Sequence, residues 1–83
     1  MNKCMFAVRD CKAETWSFPF QSENNATAIR DFTTLVNDPR TLVGQHYDDF
    51  DLFYLGTFSA SDGVIRTDVP VHLANGNDVH RSE

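Results

Sequence analysis

Hydrophobic positions follow a strand period near both ends of the chain and a helix period between them. Residues 3–9, Lys-Cys-Met-Phe-Ala-Val-Arg, form a short apolar run closed by the polar residues 10–14, the pattern of a buried strand and a turn. In residues 15–20, Trp16, Phe18 and Phe20 alternate with small or polar residues, so an extended segment there would present all three on one face. Pro19 has no N–H to give a ladder and restricts that segment to an edge strand or loop. From Asn24 or Asn25, both good N-caps, the apolar positions Ala28, Ile29, Phe32, Leu35 and Val36 keep the rhythm of an amphipathic helix. The helix must end near Asn37 and Asp38, because the residue before Pro39 is pushed out of helical geometry.

After a connecting stretch, residues 51–58 are rich in strand formers and apolar on both faces, which suits a central strand covered on both sides or one used in self-association. Residues 59–63 read as a hairpin, with Asp62 and Gly63 both supplying positive backbone angles. Residues 64–67 would return antiparallel, and Val69, Val71 and Leu73 mark a further edge strand. The sequence therefore predicts an α+β fold, one amphipathic helix packed on a mostly antiparallel sheet of four or five strands. Residues 1–74 are expected to form one small domain, and residues 75–83 a polar, frayed tail.

Composition supports folding. Leu, Ile, Val and Phe make up 21 of 83 residues, above the roughly 20% below which a charged chain stays disordered. A domain of this size buries only about 60 to 65% of its unfolded surface, so the core leaves little margin. Cys4 and Cys11 lie seven residues apart, an odd spacing that would put them on opposite faces of a continuous strand. Pairing would need a turn between them, and free thiols in a reducing cytoplasm are expected. No stretch reaches the roughly 20 apolar residues of a membrane span.

The charge of -5 is unevenly placed. Residues 1–40 carry five cations against five acids, whereas residues 41–83 carry Arg66 and Arg81 against seven acids. A duplex-binding protein needs a basic footprint that this chain lacks, so any nucleic acid would meet the first half. There, Trp16 beside Arg9 and Lys12 matches the kind of platform on which unpaired bases stack while cations hold phosphates. The competing reading is core or dimer interface, since aromatics at strand spacing more often fill a small protein's interior. Arg9, Lys12 and Trp16 are the nucleic-acid candidates.

His46, Asp48, Asp49 and Asp51 are the densest set of metal-ligating types. All lie within six residues, whereas a phosphoryl-transfer site draws ligands from several elements. They read as solvated turn residues, with Asp48 or Asp49 capping a short helical turn before the strand. No nucleophile motif surrounds either cysteine, which places Cys4 in the core and Cys11 in a turn. His72, on the polar phase of its strand, and His80, in the tail, read as solvated. No catalytic residue, metal or cofactor is expected.

Residues 46–58, His-Tyr-Asp-Asp-Phe-Asp-Leu-Phe-Tyr-Leu-Gly-Thr-Phe, followed by an acid-and-glycine hairpin, resemble the small nonstructural protein of microviruses, in particular the gokushovirus-like group of single-stranded DNA phages. The likeness extends to residues 5–10, to Phe18-Pro19-Phe20, to Ala28-Ile29-Arg30-Asp31-Phe32 and to Asn37-Asp38-Pro39, and so covers most of the chain. Tyr47 departs from it, standing where the family pattern has proline. The resemblance implies a nonstructural phage protein in the host bacterial cytoplasm, linked to viral DNA synthesis or single-stranded DNA binding, and it supplies no active-site residues.

The expected function is thus a non-enzymatic accessory role in handling single-stranded viral DNA, through weak binding. The alternative is an adaptor that engages a host or viral replication protein without touching nucleic acid, which the acidic second half favours. Self-association into a homodimer or larger oligomer is expected through the sheet, because residues 52–58 are apolar on both faces in a chain too short to cover both.

Overall fold

The computed structural model describes residues 2–81. Strand β1 (Asn2–Asp10) forms the middle of the sheet with β4 (Phe50–Ser59). The other edge of β1 is shared by β2 (Thr15–Trp16) and β3 (Phe20–Ser22), and β5 (Ile65–Asn75) lies outside β4. Every pairing is antiparallel. Helix α1 (Asn25–Val36) covers one face, followed by the short helix α2 (Leu42–Gln45) and a 3-10 turn, Tyr47–Asp49. This is the expected α+β arrangement.

Helix α1 starts where the sequence said it would. The Asn24 carboxamide accepts from the Thr27 N–H at 2.8 Å and from the Thr27 hydroxyl at 3.0 Å, satisfying a donor that the first turn leaves free. Ala28, Phe32 and Val36 face the sheet and are buried, with Ile29 packed beside them. They meet Phe6 from β1 and Phe50 and Leu52 from β4. Each buried Phe, Leu or Val among them contributes about 1.5 to 3 kcal/mol of transfer free energy. Ahead of Pro39, Asn37 closes the helix, and Thr41 then caps α2 by accepting from the Gly44 N–H at 2.9 Å.

Several expectations are corrected. Trp16, Phe18 and Phe20 do not share a face: Phe20 packs on Phe6 in the core, Trp16 packs on Phe53, and Phe18 is 94% exposed. The strand breaks at Ser17, whose N–H donates to the Val8 carbonyl while its Oγ accepts from the Val8 N–H, so a side chain replaces one ladder bond. The segment then passes through Pro19 and rejoins β1 turned over.

At the distal hairpin, Gly63 alone takes a positive angle (φ 74°) and Asp62 instead accepts from the Val64 N–H. The two stretches expected after it are one strand. β5 bulges where Asp68, Val69 and Pro70 stand opposite Leu55, which absorbs the proline without breaking the strand. Gly56 faces this bend at φ 152°, and a Cβ there would strike the Arg66 carbonyl.

The tail expected from Asn75 onward is folded through Arg81. A helix, α3 (Gly76–Val79), starts on a capping box in which the Asn75 side chain accepts from the Asp78 N–H and the Asp78 side chain accepts from the Asn75 N–H, with the Asn77 N–H also donating to Asn75. Asn37 reaches across to it, donating to the Val79 carbonyl and accepting from the Arg81 N–H. Polar composition reads as fraying, but here the polar groups bind one another. Ser82 and Glu83 lie outside the described residues.

Candidate nucleic-acid interface on the open sheet face

Helix α1 covers only one face of the sheet, and strand alternation fixes what the other presents. Partners directly across a ladder share a face. Arg9 stands opposite Trp16 on one side and Asp51 on the other, while Ala7 stands opposite Phe53 and Phe53 opposite His72. These residues therefore line the face away from α1.

An aromatic row crosses that face. Trp16 meets Phe53 with ring centroids 4.8 Å apart and planes 57° from parallel, and Phe53 and His72 make a T-shaped contact with centroids 5.3 Å apart. Ala7 lies between the Trp16 and Phe53 strands and is 1% exposed, so the indole spans β1 above a single methyl group. Trp16 itself keeps 45% of its surface exposed. One side of the indole is thus anchored and the rest is open to solvent.

The charge on this face is mixed. Asp51 Oδ1 accepts from the Asn75 carboxamide at 2.9 Å and lies 2.9 Å from His72 Nε2. That leaves Arg9 without an ion pair among the described residues, where the pairs are Lys3–Glu23, Arg40–Asp38 and His72–Asp51. His72 is therefore held by Asp51 and Phe53 rather than merely solvated, and His80 is stacked on Tyr47 rather than loose in a tail.

Of the residues expected to bind nucleic acid, Arg9 and Trp16 are brought together and Lys12 is not. Asp10 accepts from the Lys12 and Ala13 N–H groups and tightens the turn. Lys12 lines a separate depression with Asp10, His46 and Asp49. Phe53 and His72 complete the row and were missed as site residues. Their signal was the alternation of β4 and β5, but the pairing of β4 with β1 was needed to place them beside Trp16.

The acidic stretch does not converge. Neither Asp48 nor Asp49 caps the 3-10 turn; both lie within its first turn, and Asp51 is engaged with His72 and Asn75. Among the described residues no three His, Cys, Asp or Glu side chains are placed to hold a metal ion. Cys4 packs against the core, Cys11 is exposed in the turn, and both are free. No helix among the described residues is long and apolar enough to cross a membrane.

A groove of about 410 Å³ opens on the helix side, between the residue 15–20 segment and α2, lined by Val8, Phe18, Phe20, Leu35, Leu42 and Phe50 among others. Its apolar walls suit an aliphatic or aromatic side chain rather than phosphate.

No curated protein and no solved structure matches the chain. A protein-family model does, that of the phage ORF5 protein, over residues 3–79. That span includes β2, the β1–β4 pair and the aromatic row, and on this match the chain belongs to the phage ORF5 protein family.

Proposed function

We propose that this phage protein is a non-enzymatic accessory factor of a single-stranded DNA phage, of the microvirus group its sequence resembles, acting on the viral strand in the host cytoplasm. The observation that carries this reading is the cross-strand pair of Arg9 and Trp16 on the open sheet face, with the indole anchored by Phe53 and its outer surface free. An anchored aromatic stacks an unpaired base of any identity, worth on the order of 1 to 3 kcal/mol per base. The neighbouring guanidinium holds a backbone phosphate. A duplex would not offer its base faces, and the net charge of -5 opposes broad phosphate contact, so single strands are favoured.

Binding by this face is weak and only mildly salt-sensitive. Single-strand contacts give a logarithmic salt slope of roughly 0.7 per phosphate, and with Arg9 as the one cation paired across the ladder with Trp16 the slope per chain is near -1. Anisotropy titration of the intact protein with single-stranded DNA at low salt is the test. Binding that disappears in the Trp16→Ala, Arg9→Ala double variant supports the reading. Absence of binding, or binding unchanged in that variant, ends it.

One observation favours a second reading. The apolar groove beside Phe18, a phenylalanine 94% exposed, fits a side chain inserted by a protein, as an adaptor for a replication protein would require. If DNA binding is absent and Phe18→Ala abolishes capture of a purified viral or host replication protein, the adaptor reading replaces the first.

A further inference from the structure

β5 is the outer strand of the sheet, and every residue from Ile65 to His72 is exposed. Ile65, Val69 and Val71 are 58%, 77% and 51% exposed. Such a strand is an open template for another. The Ser59 N–H donates to the Val64 carbonyl at 2.9 Å, and the register continues through Phe58–Ile65, Thr57–Arg66 and Gly56–Thr67. Hydrogen bonding alternates along an antiparallel ladder. Val64 and Arg66 therefore turn their backbone groups toward β4, while Ile65 and Thr67 turn theirs to the free edge. Val69 lies in the bulge, and its N–H is taken by its neighbour, the Asp68 carboxylate, at 2.8 Å.

We infer that a second copy of this chain pairs with this edge, antiparallel, about a two-fold axis through Thr67. Thr67 then faces the partner's Thr67 as a hydrogen-bonded pair, Arg66 faces the partner's Asp68, and Ile65 faces the partner's Val69. Symmetry repeats each contact. Arg66 and Asp68 have no ion pair among the described residues, and in this register both gain one where cross-strand side chains come closest. Moving the axis by one residue either way sets Arg66 against its own copy or Asp68 against its own, so charge selects Thr67. The register also matches Ile65 with the partner's Val69, two of the exposed apolar residues of the strand. Pro70 falls opposite the partner's Val64, at a position where the ladder needs no N–H. As Asp68 turns to the partner's Arg66, the Val69 N–H passes to the partner's Ile65 carbonyl.

The axis stands normal to the sheet, so both open faces lie on the same side and the two Arg9–Trp16 sites share one surface. A single strand could then cross both, raising affinity by effective concentration. The pairing itself does not rest on the DNA reading.

Light scattering on the intact protein is expected to give twice the 9.4 kDa chain mass. Arg66→Asp and Asp68→Arg, each alone, set like charges together and are expected to yield monomers. Mixing the two variants restores opposite charges at both contacts, so the mixture returns to the dimer mass, which also shows that both variants fold. A wild-type monomer across micromolar concentrations overturns the inference, as do single variants that stay dimeric or a mixture that stays monomeric. Anisotropy of the monomeric Arg66→Asp variant with single-stranded DNA separates the two ideas: weakened but measurable binding leaves the DNA site standing whatever the oligomer.

Discussion

The imidazole of His80 lies flat on the phenol ring of Tyr47, with centroids 3.8 Å apart and planes 2° from parallel. The stack joins the last described residues to the turn that precedes β4. Beneath it, Gly76 is buried with its α-carbon pressed toward the Tyr47 carbonyl, and Asn75 donates to the Asp48 and Phe50 carbonyls. The closing segment is thereby part of the core that holds β4 in place.

Gly76→Ala is expected to destabilise the protein by about 1 to 3 kcal/mol, because the new methyl group meets backbone that cannot swing aside. Asn75→Ala, which removes the cap of α3 and the bonds to β4, should cost about 1 to 3 kcal/mol. Thermal melts with urea titration check both. Wild-type stability in either variant would mean that residues 75–81 are not docked as described.

Arg9→Ala and Lys12→Ala should separate in their effect on DNA binding. The first removes the cation opposite Trp16 and should flatten the salt slope toward zero. The second, beside Asp10 and Asp49, should leave the slope unchanged. Titrations at several salt concentrations decide it, and equal effects would place the DNA on the turn rather than the sheet face.

Phe53→Leu keeps an apolar side chain under the indole but removes the ring that anchors it. The expected result is a modest stability loss, on the order of 1 kcal/mol, with a larger fractional loss of DNA affinity as Trp16 gains freedom. Tryptophan fluorescence should broaden or shift in the same variant. DNA affinity that falls no further than stability would assign Phe53 a packing role alone.

Replacing Asp48 and Asp49 together by Asn is expected to change stability by less than about 0.5 kcal/mol and to leave DNA binding intact, since neither carboxylate caps the 3-10 turn. Binding lost at an unchanged melting temperature would point to a metal held by this stretch.

Three carboxyls are held below their ordinary range: Glu23 by the hydrogen bond and charge of Lys3, Asp38 by the Arg40 guanidinium, and Asp62 by the Ser59 hydroxyl and the Val64 N–H. With lowered values in the fold, the unfolded chain binds more protons in that window. Their small stabilisation is present above the ordinary values of 3.8 for Asp and 4.5 for Glu and is lost as pH falls through the folded values. Melts between pH 6 and pH 3 should show a shallow decline, smaller in Asp38→Asn. An identical decline in that variant would remove Asp38 from the account.

Helix α1 was legible because its signals are local. The Asn24 cap, the spacing of Ala28, Phe32 and Val36 and the stop before Pro39 all act within a few residues of one another. Only Arg9 and Trp16 of the site could be read together, because the turn between them makes β1 and β2 neighbours. Lys12 was read correctly into the turn, but nothing local announces that His46 and Asp49 line the same depression.

The sequence by itself determined the periods, and with them α1, the strands and the α+β class. It also set where charge is scarce and where it is acidic. Only the tertiary structure decided partners. It set β4 against β1, which puts Phe53 beside Trp16. It merged two apparent strands into β5 by a bulge, and it gave the polar residues 75–81 their bonds to Asn37 and to one another. The physical reason is range: caps and periodicity are settled by neighbours in the chain. Strand pairing and the docking of a polar segment depend on groups tens of residues away, whose mutual complementarity no local pattern encodes.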